Sequence, residues 1–319
     1  MLILDRSKIE QLVDFERSFD AISSAYCAAS SGKINLPPVG HITFPDHGGD
    51  CHIKYGHVEG DEFFVIKVAT GFPNYGKNDL PNGNGIMLIL SAQTGEVISA
   101  LHDEMHLTDV RTGIGGATGS HLLAKRSSKK VLIVGTGIQA EMQIKAHAAK
   151  FDHALEFTIW GRDTLKAQSL ASRLDSSLKV SVVADLEQAC KQSDIIVTTT
   201  TSTKPFIKAN WINPGTHITA IGADAPGKQE LMNDVAGNAD VIVADSISQC
   251  IDHGEIEEAA TKGLIDQSEV LELGNILTSP KLGRKSDNQI TLADFTGIAA
   301  LDIAMAKIIW QSYHQSSNT

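Results

Sequence analysis

Cysteine is scarce in this chain, with four residues at positions 27, 51, 190 and 250 among 319. The four are far apart and form no C-x-x-C pair, so their spacing disfavours a disulfide framework and a structural zinc site. The first residues, MLILDRSKIEQL, lack the basic flank and the apolar run of a signal peptide, and no stretch reaches the length of a membrane span. We therefore expect a cytoplasmic protein with reduced thiols and no membrane partner.

Basic residues are also few, because 27 Lys and Arg stand against 38 Asp and Glu, a net charge of −11. A surface that binds nucleic acid or an anionic membrane needs clustered basic side chains, so both partners are disfavoured. Hydrophobic residues make up 42% of the chain and charged residues 20%, which is ordinary for a globular protein. The length favours two domains over one.

The most specific motif is VLIVGTGIQA, residues 131–140. An apolar run that enters G-x-G-x-x-A is typical of a buried strand turning into a helix at the pyrophosphate of a dinucleotide. Gly135 would permit the turn, Gly137 would let the backbone approach the phosphates, and the N–H groups at the helix start would face the anion. The match is weak by itself, but a helical pattern and a second apolar run, EFTIW, follow it at the right spacing.

From residue 127 onward, strand-like and helix-like segments alternate, with strands predicted at VLIV, FTIW, VSVV, DIIVTTT, HITAIGA and VIVAD. This alternation predicts an α/β fold with a doubly wound parallel sheet of the Rossmann type. We place this domain at 118–289, inserted into a second, α+β domain formed by 1–117 and 290–319. After Gly283 the chain is expected to leave the sheet, and 292–313 to form one long amphipathic helix.

The first part of the chain predicts a helix over 8–31 and then short strands of an antiparallel or mixed sheet between 39 and 101. The Gly-, Asn- and Pro-rich segment 71–85 is either a binding loop or a simple exposed crossover.

A further helix is predicted over 107–125, where Thr108 or Asp109 would cap its start and several glycines would permit close packing. His102 and His106 have H-x-x-x-H spacing, but this segment ends a strand pattern and shows no third ligand. No metal site is predicted.

The end of the second Rossmann strand indicates the cofactor. An acid there would hold the 2′-hydroxyl of NAD, whereas an arginine would suit the 2′-phosphate of NADP. Arg162 therefore favours NADPH, and Asp163 next to it keeps NADH as a second cofactor.

Six segments, in this order, cover nearly the whole chain: IKVATGFPN, LTDVRTG, VLIVGTGIQA, DIIVTTTTS, NPGTHITAIGADAPGKQEL and VIVADSISQCIDHGEI. Together they resemble the ornithine cyclodeaminase/mu-crystallin family, and in type they are nearest to its 1-pyrroline-2-carboxylate reductases. The resemblance implies a homodimer, in which each chain has a Rossmann domain that binds NAD or NADP and a substrate domain that also dimerises. It also implies a reaction that passes through an imine or iminium on an amino-acid carbon.

Two cations are predicted to bind the carboxylate of such a substrate. Lys67 lies inside the apolar run FFVIKVAT, where an unpaired ammonium would be costly to bury. Arg111 could bind an anion through two parallel hydrogen bonds. Both match family positions that bind the carboxylate.

Asp224 follows a predicted strand, at the carboxyl edge where ligands bind in such sheets. It matches the family's catalytic aspartate, and an acid there can stabilise an iminium and transfer its proton; capping of the next helix is the alternative. The turn, the strand end and the family match together give the predicted cofactor-binding residues: Gly135, Gly137, Ile138, Gln139, Arg162, Thr200, Ile221 and Lys228.

The chain departs from the cyclodeaminase pattern where that pattern has an arginine, because Gly40 and His41 follow Pro38-Val39 here. One carboxylate ligand is therefore predicted to be missing or to be replaced by His41. Near the place of the ornithine enzymes' glutamate, the chain has His52 and Lys54, which would bind a distal ammonium poorly.

These features favour NAD(P)H-dependent reduction of a cyclic ketimine acid, foremost 1-pyrroline-2-carboxylate to L-proline, and also 1-piperideine-2-carboxylate to L-pipecolate. The alternatives are ornithine cyclodeamination, alanine dehydrogenation and a non-catalytic NADP-binding protein that resembles mu-crystallin.

Overall fold

The computed structural model describes residues 1–72 and 82–316. Contacts divide the chain into two compact units, the first formed by Met1–Arg111 and Ile298–Thr319 and the second by Thr112–Gly297. The sequence-based boundaries, after 117 and after 289, lie several residues from these divisions and stay a prediction. Within the described ranges no helix has the length and apolar character needed to span a membrane.

The elements are as follows. The strands are β1 Leu2–Asp5, β2 Ile34–Asn35, β3 Gly40–Phe44, β4 Gly49–Val58, β5 Phe63–Gly71, β6 Gly83–Ser91, β7 Val97–His102, β8 Lys130–Val134, β9 Glu156–Trp160, β10 Lys179–Val183, β11 Ile195–Thr198, β12 His217–Ala220, β13 Val241–Ala244, β14 Leu271–Glu272 and β15 Thr291–Asp294. The α-helices are α1 Arg6–Leu12, α2 Phe15–Ser30, α3 His106–Leu123, α4 Ile138–Lys150, α5 Thr164–Arg173, α6 Leu186–Gln192, α7 Asn233–Gly237, α8 Ile247–His253, α9 Glu257–Thr261, α10 Leu273–Thr278 and α11 Ala299–Ser316.

The first unit contains a mixed sheet with the strand order β1-β7-β6-β5-β4-β2, and β3 also pairs with β4. The sheet, predicted to be antiparallel or mixed, is mixed, and no pattern in the sequence predicted that Leu2–Asp5 forms a strand parallel to β7. Helix α11 packs against β4, β5 and α2. At Gly56 a side chain would lie 3.3 Å from Ile303 of α11, so this helix covers the inner face of the sheet.

The single helix predicted over 8–31 is wrong, because the structure has two helices there. Val13 is extended, and the carboxylate of Asp14 accepts the N–H of Arg17 at 3.2 Å, which caps α2. A side-chain cap competes with continuation of the helix, so an aspartate within a periodic pattern can begin a new one.

The residues predicted to cap the start of α3 are also wrong. The carboxylate of Asp103, and not that of Asp109 or the hydroxyl of Thr108, accepts the N–H of Leu107 at 2.9 Å. Of the predicted loop 71–85, residues 73–81 lie outside the described part of the chain.

The second unit contains the predicted parallel sheet, with the order β10-β9-β8-β11-β12-β15-β13-β14. All of its strand pairs are parallel. The central strands read as continuous apolar runs because helices cover both faces, and Ile133, Ile196 and Ile218 are fully buried. The predicted α/β fold with a Rossmann-type sheet is confirmed.

The expectation that the chain leaves this sheet after Gly283 is wrong. Thr291–Asp294 forms β15 between β12 and β13, and the helix begins only at Ala299. Because the apolar residues of Thr291–Asp294 are followed by a turn, this segment resembles the start of an amphipathic helix in the sequence. Only its position between β12 and β13 in the sheet shows that it is a strand.

Candidate active site

The glycine turn at the end of β8 has the geometry that a phosphate site requires. Gly135 has φ +138°, and a Cβ there would lie 2.2 Å from Thr199 Oγ1, so only glycine fits. Gly137 is the N-cap of α4, and a Cβ at Gly137 would meet nothing within 4 Å. The space beside Gly137 and the N–H groups of the helix start therefore fit a pyrophosphate.

A cavity of about 660 Å³ lies beside this turn in the second unit. Its wall includes both glycines of the turn and three basic side chains, Arg162, Lys166 and Lys204. Asp163 also lines it, but its Oδ1 accepts the N–H of Leu165 at 2.9 Å as the cap of α5. The volume and the basic wall fit the adenosine and phosphate parts of a dinucleotide.

The other predicted cofactor residues in the second unit lie near the carboxyl ends of its strands. Ile138 begins α4 and is 62% exposed, so a ligand at the start of this helix can contact it. Thr200 lies just beyond β11 and lines the cavity, and Ile221 lies just beyond β12 and is buried. Gln139 is half-buried in the first turn of α4.

A buried acid, Glu230, fastens the ends of β11 and β12 together. Its two carboxylate oxygens accept the N–H of Thr200 at 2.7 Å and the N–H of Gly222 at 3.1 Å. Glu255, also buried, accepts the N–H groups of Glu230 and Leu231. Burial raises the pKa of Glu230 to about 7, and burial together with Glu230 raises the pKa of Glu255 well above its ordinary value.

Asp224 lies in the turn that follows β12, as predicted. Its carboxylate accepts a hydrogen bond from Lys228 Nζ at 2.5 Å, and its side chain is 52% exposed. The next helix begins only at Asn233, so Asp224 does not cap it. An exposed carboxylate at this edge of the sheet is accessible to a ligand, and Lys228 holds it in place.

In the first unit, Lys67 of β5 and Arg111 of α3 share one carboxylate, that of Asp302 on α11. Lys67 Nζ lies 2.8 Å from Asp302 Oδ2, and Arg111 Nε donates to Asp302 Oδ1 at 3.1 Å. All three side chains are at least nine-tenths buried. Burial lowers the pKa of Lys67 to about 8, although Asp302 opposes this. Burial alone would raise the pKa of Asp302, but Lys67 and Arg111 outweigh it and the pKa is lowered.

A third cation and a second acid lie near this group. Lys54 of β4 is the cross-strand partner of Lys67, so both side chains lie on the same face of the sheet. Asp103, which caps α3, is buried, and burial raises its pKa to about 6 while Lys67 opposes the rise. The two buried cations Lys67 and Arg111 therefore share the single carboxylate of Asp302, so these three side chains together carry one net positive charge.

His41 lies on β3 beside its cross-strand partner His52 on β4. Their rings stack with centroids 4.3 Å apart, and His52 Nε2 lies 3.4 Å from Asp50 Oδ2. His41 thus lies in a group of two histidines and one aspartate, and His52 is on the same face of β4 as Lys54; that His41 binds substrate stays a prediction.

Comparison with known proteins agrees with the fold. The model of the Ornithine cyclodeaminase/mu-crystallin family matches residues 1–317. The chain belongs to this family. The recognition made from the sequence is confirmed.

Relatives within the ornithine cyclodeaminase/mu-crystallin family carry different names. An uncharacterized cyclodeaminase, y4tK, of Sinorhizobium fredii is 35% identical over 99% of this chain and 97% of its own length. An archaeal alanine dehydrogenase, solved as a dimer with bound NAD, superposes with a TM-score of 0.90 at 32% identity and covers 100% of this chain and 97% of that one. A Thermococcus litoralis Δ1-pyrroline-2-carboxylate reductase, solved with NADH and L-proline, gives a TM-score of 0.92 at 25% identity over 99% of this chain and 98% of that one.

Two site residues of this family member were not found from the sequence. Asp302 was overlooked because it was read as one polar position of an amphipathic helix, yet it is the acid within the apolar run IAALDIAMA. Glu255 was quoted only as part of a motif. In both cases the signal was an acid among apolar residues, which is costly to bury unless it has partners.

Proposed function

We propose that the chain is an NAD(P)H-dependent oxidoreductase that reduces a cyclic ketimine acid. The favoured substrate is 1-pyrroline-2-carboxylate, which gives L-proline, and the second is 1-piperideine-2-carboxylate, which gives L-pipecolate. The observation that carries this proposal is the buried cluster of Lys67, Arg111 and Asp302, because it has an excess of positive charge. The glycine turn and the cavity beside it in the second unit, which fit a dinucleotide, support the proposal.

A substrate carboxylate would complete the charge balance of this cluster. Lys67 and Arg111 are fixed by Asp302, so little side-chain entropy is lost when they bind an anion. Because both cations are buried, water screens their attraction for a carboxylate weakly. The neighbouring Lys54 adds positive charge on the same face, which would disfavour the distal ammonium of ornithine.

The chemistry that follows is reduction of a carbon–nitrogen double bond. When bound, a reduced nicotinamide would supply the hydride that the imine carbon accepts, and the imine nitrogen would take up a proton. We assign to Asp224 the stabilisation of the positively charged iminium and the handling of this proton. Lys228, 2.5 Å from the carboxylate, orients it. Glu230 holds the backbone that precedes Asp224 through its bond to Gly222.

Cofactor preference follows from the basic wall of the cavity. Arg162, Lys166 and Lys204 would surround a 2′-phosphate, whereas Asp163 already uses one oxygen to cap α5. We therefore favour NADPH over NADH. A homodimer is part of the proposal because the archaeal alanine dehydrogenase is a dimer.

Steady-state oxidation of NADPH and NADH with 1-pyrroline-2-carboxylate tests the proposal. Asp224→Asn should lower kcat about 10²- to 10⁴-fold without loss of NADPH binding. Lys67→Met should raise KM about 10- to 100-fold, since a hydrogen bond between charged groups is lost. Lys179→Met, an exposed strand lysine of β10, is the control and should change neither constant.

Three results would redirect the proposal. Turnover with pyruvate and ammonia in preference to the cyclic imine would favour alanine dehydrogenation, which the archaeal neighbour supports. Ammonia release from ornithine without imine reduction would favour cyclodeamination, the activity for which the Sinorhizobium relative is named. Tight NADPH binding with no turnover of any of these substrates would favour a non-catalytic role.

A further inference from the structure

The proposed reduction assigns no role to Asp50 or His52, which form a group with His41. His41 and His52 are directly opposed on the antiparallel strands β3 and β4, and Asp50 lies two residues before His52. Alternation along β4 places Asp50 and His52 on one face, and the cross-strand pairing adds His41 to it. One ligand atom from each of the three residues lies within 4.8 Å of the others.

We propose that these three side chains bind a divalent transition-metal ion of the zinc type. Two imidazoles and one carboxylate are ligands that zinc, cobalt and nickel accept, and three protein ligands leave positions for water. Metal–ligand bonds of about 2.0–2.2 Å place ligand atoms roughly 3 Å apart, so the side chains must draw together by about 1 Å or more. His41 is exposed and free of packing against the core, so its ring can make this movement.

A cation fits this group better than an anion does. Asp50 Oδ2 lies 3.4 Å from His52 Nε2 and would repel a carboxylate or phosphate bound there.

The proposal is independent of the reductase function, because its test uses neither substrate nor cofactor. The full chain, freed of metal with a chelator, is titrated with Zn²⁺ in competition with a chromophoric chelator. One Zn²⁺ per chain is expected. His41→Ala and His52→Ala should each weaken binding by about tenfold or more. His57→Ala is the matched control, since His57 lies on β4 but on the opposite face, and it should leave the affinity unchanged.

Substitution of Zn²⁺ by Co²⁺ identifies the ligands. Visible absorption of a nitrogen- and oxygen-ligated ion, lost in both histidine variants, would support the site. Strong near-ultraviolet absorption from cobalt–thiolate bonds would assign the ion to a cysteine and overturn the proposal. Unchanged Zn²⁺ affinity in His41→Ala would overturn it as well, and this variant is expected to fold because His41 is exposed.

Discussion

Removal of Asp302 should be far more damaging than removal of either cation that it binds. In Asp302→Asn, Lys67 and Arg111 would remain buried beside an amide that carries no charge. Loss of one partner from a buried ion pair costs about 3–5 kcal/mol, mostly because the remaining charge is left uncompensated. Lys67→Met, by contrast, leaves Asp302 paired with Arg111, so it should cost less than about 1–2 kcal/mol.

The chain offers a matched control for this prediction. Lys307 of α11 forms an ion pair with Asp61 at 2.6 Å, but their side chains are 30% and 19% exposed. Water stabilises the remaining charge in Asp61→Asn, so a loss of about 1 kcal/mol or less is expected. Both variants remove a carboxylate bonded to a cation in the first unit, and they differ mainly in burial.

Urea unfolding followed by circular dichroism measures these free energies by linear extrapolation. If the two units unfold separately, the loss of stability should appear in the unfolding of the first unit. The fluorescence of Trp310 reports that transition, because Trp310 lies on α11 and contacts Phe63 within the first unit. Replacement of Trp160 and Trp211 by phenylalanine removes the fluorescence of the second unit's tryptophans, so that the fluorescence of Trp310 is measured alone. The reasoning fails if Asp302→Asn costs no more than Asp61→Asn, or if Lys67→Met costs as much as Asp302→Asn.

Four further predictions concern the second unit. Gly135→Ala should destabilise the cofactor-free chain by about 2 kcal/mol or more, because φ is +138° and Thr199 Oγ1 lies 2.2 Å from the added Cβ. Gly137→Ala should leave thermal unfolding unchanged but weaken NADPH binding about tenfold or more in a fluorescence titration; unchanged binding would contradict the cradle. Glu230→Gln should cost about 1–3 kcal/mol in urea unfolding, since the amide nitrogen cannot accept an N–H, and equal stability to the parent would refute the fastening role. Burial raises the pKa of Asp294 to about 7 from 3.8, so the folded chain keeps a proton that the unfolded chain releases, and stability should fall as pH rises from about 4 to 7, by up to about 4 kcal/mol. Asp294→Asn should flatten this slope, and an unchanged slope in urea titrations at several pH values would contradict the assignment.

The cofactor part of the molecule was predictable because its signals are local. A strand, a glycine turn and a helix follow one another within residues 131–140, and each backbone requirement lies beside the residue that meets it. Asp224 was found in the same way, since the carboxyl end of a strand can be read from the sequence. Strand β15 was missed because its neighbours, β12 and β13, lie far away in the chain.

Of the buried cluster in the first unit, only the cations were predictable from the sequence. Lys67 was found because a lysine inside an apolar strand demands a partner, but the sequence could not say which acid that partner is. Asp302 lies 235 positions later, in a helix whose periodicity by itself accommodates one polar residue. The same argument, applied to Asp302, would have paired it with Lys67. A charge in an apolar strand and an opposite charge in an apolar helix are each costly to bury alone, but they stabilise each other when they are buried together. In chains of this kind, charged residues within apolar segments should therefore be considered together, because a buried charge needs an oppositely charged partner elsewhere in the fold.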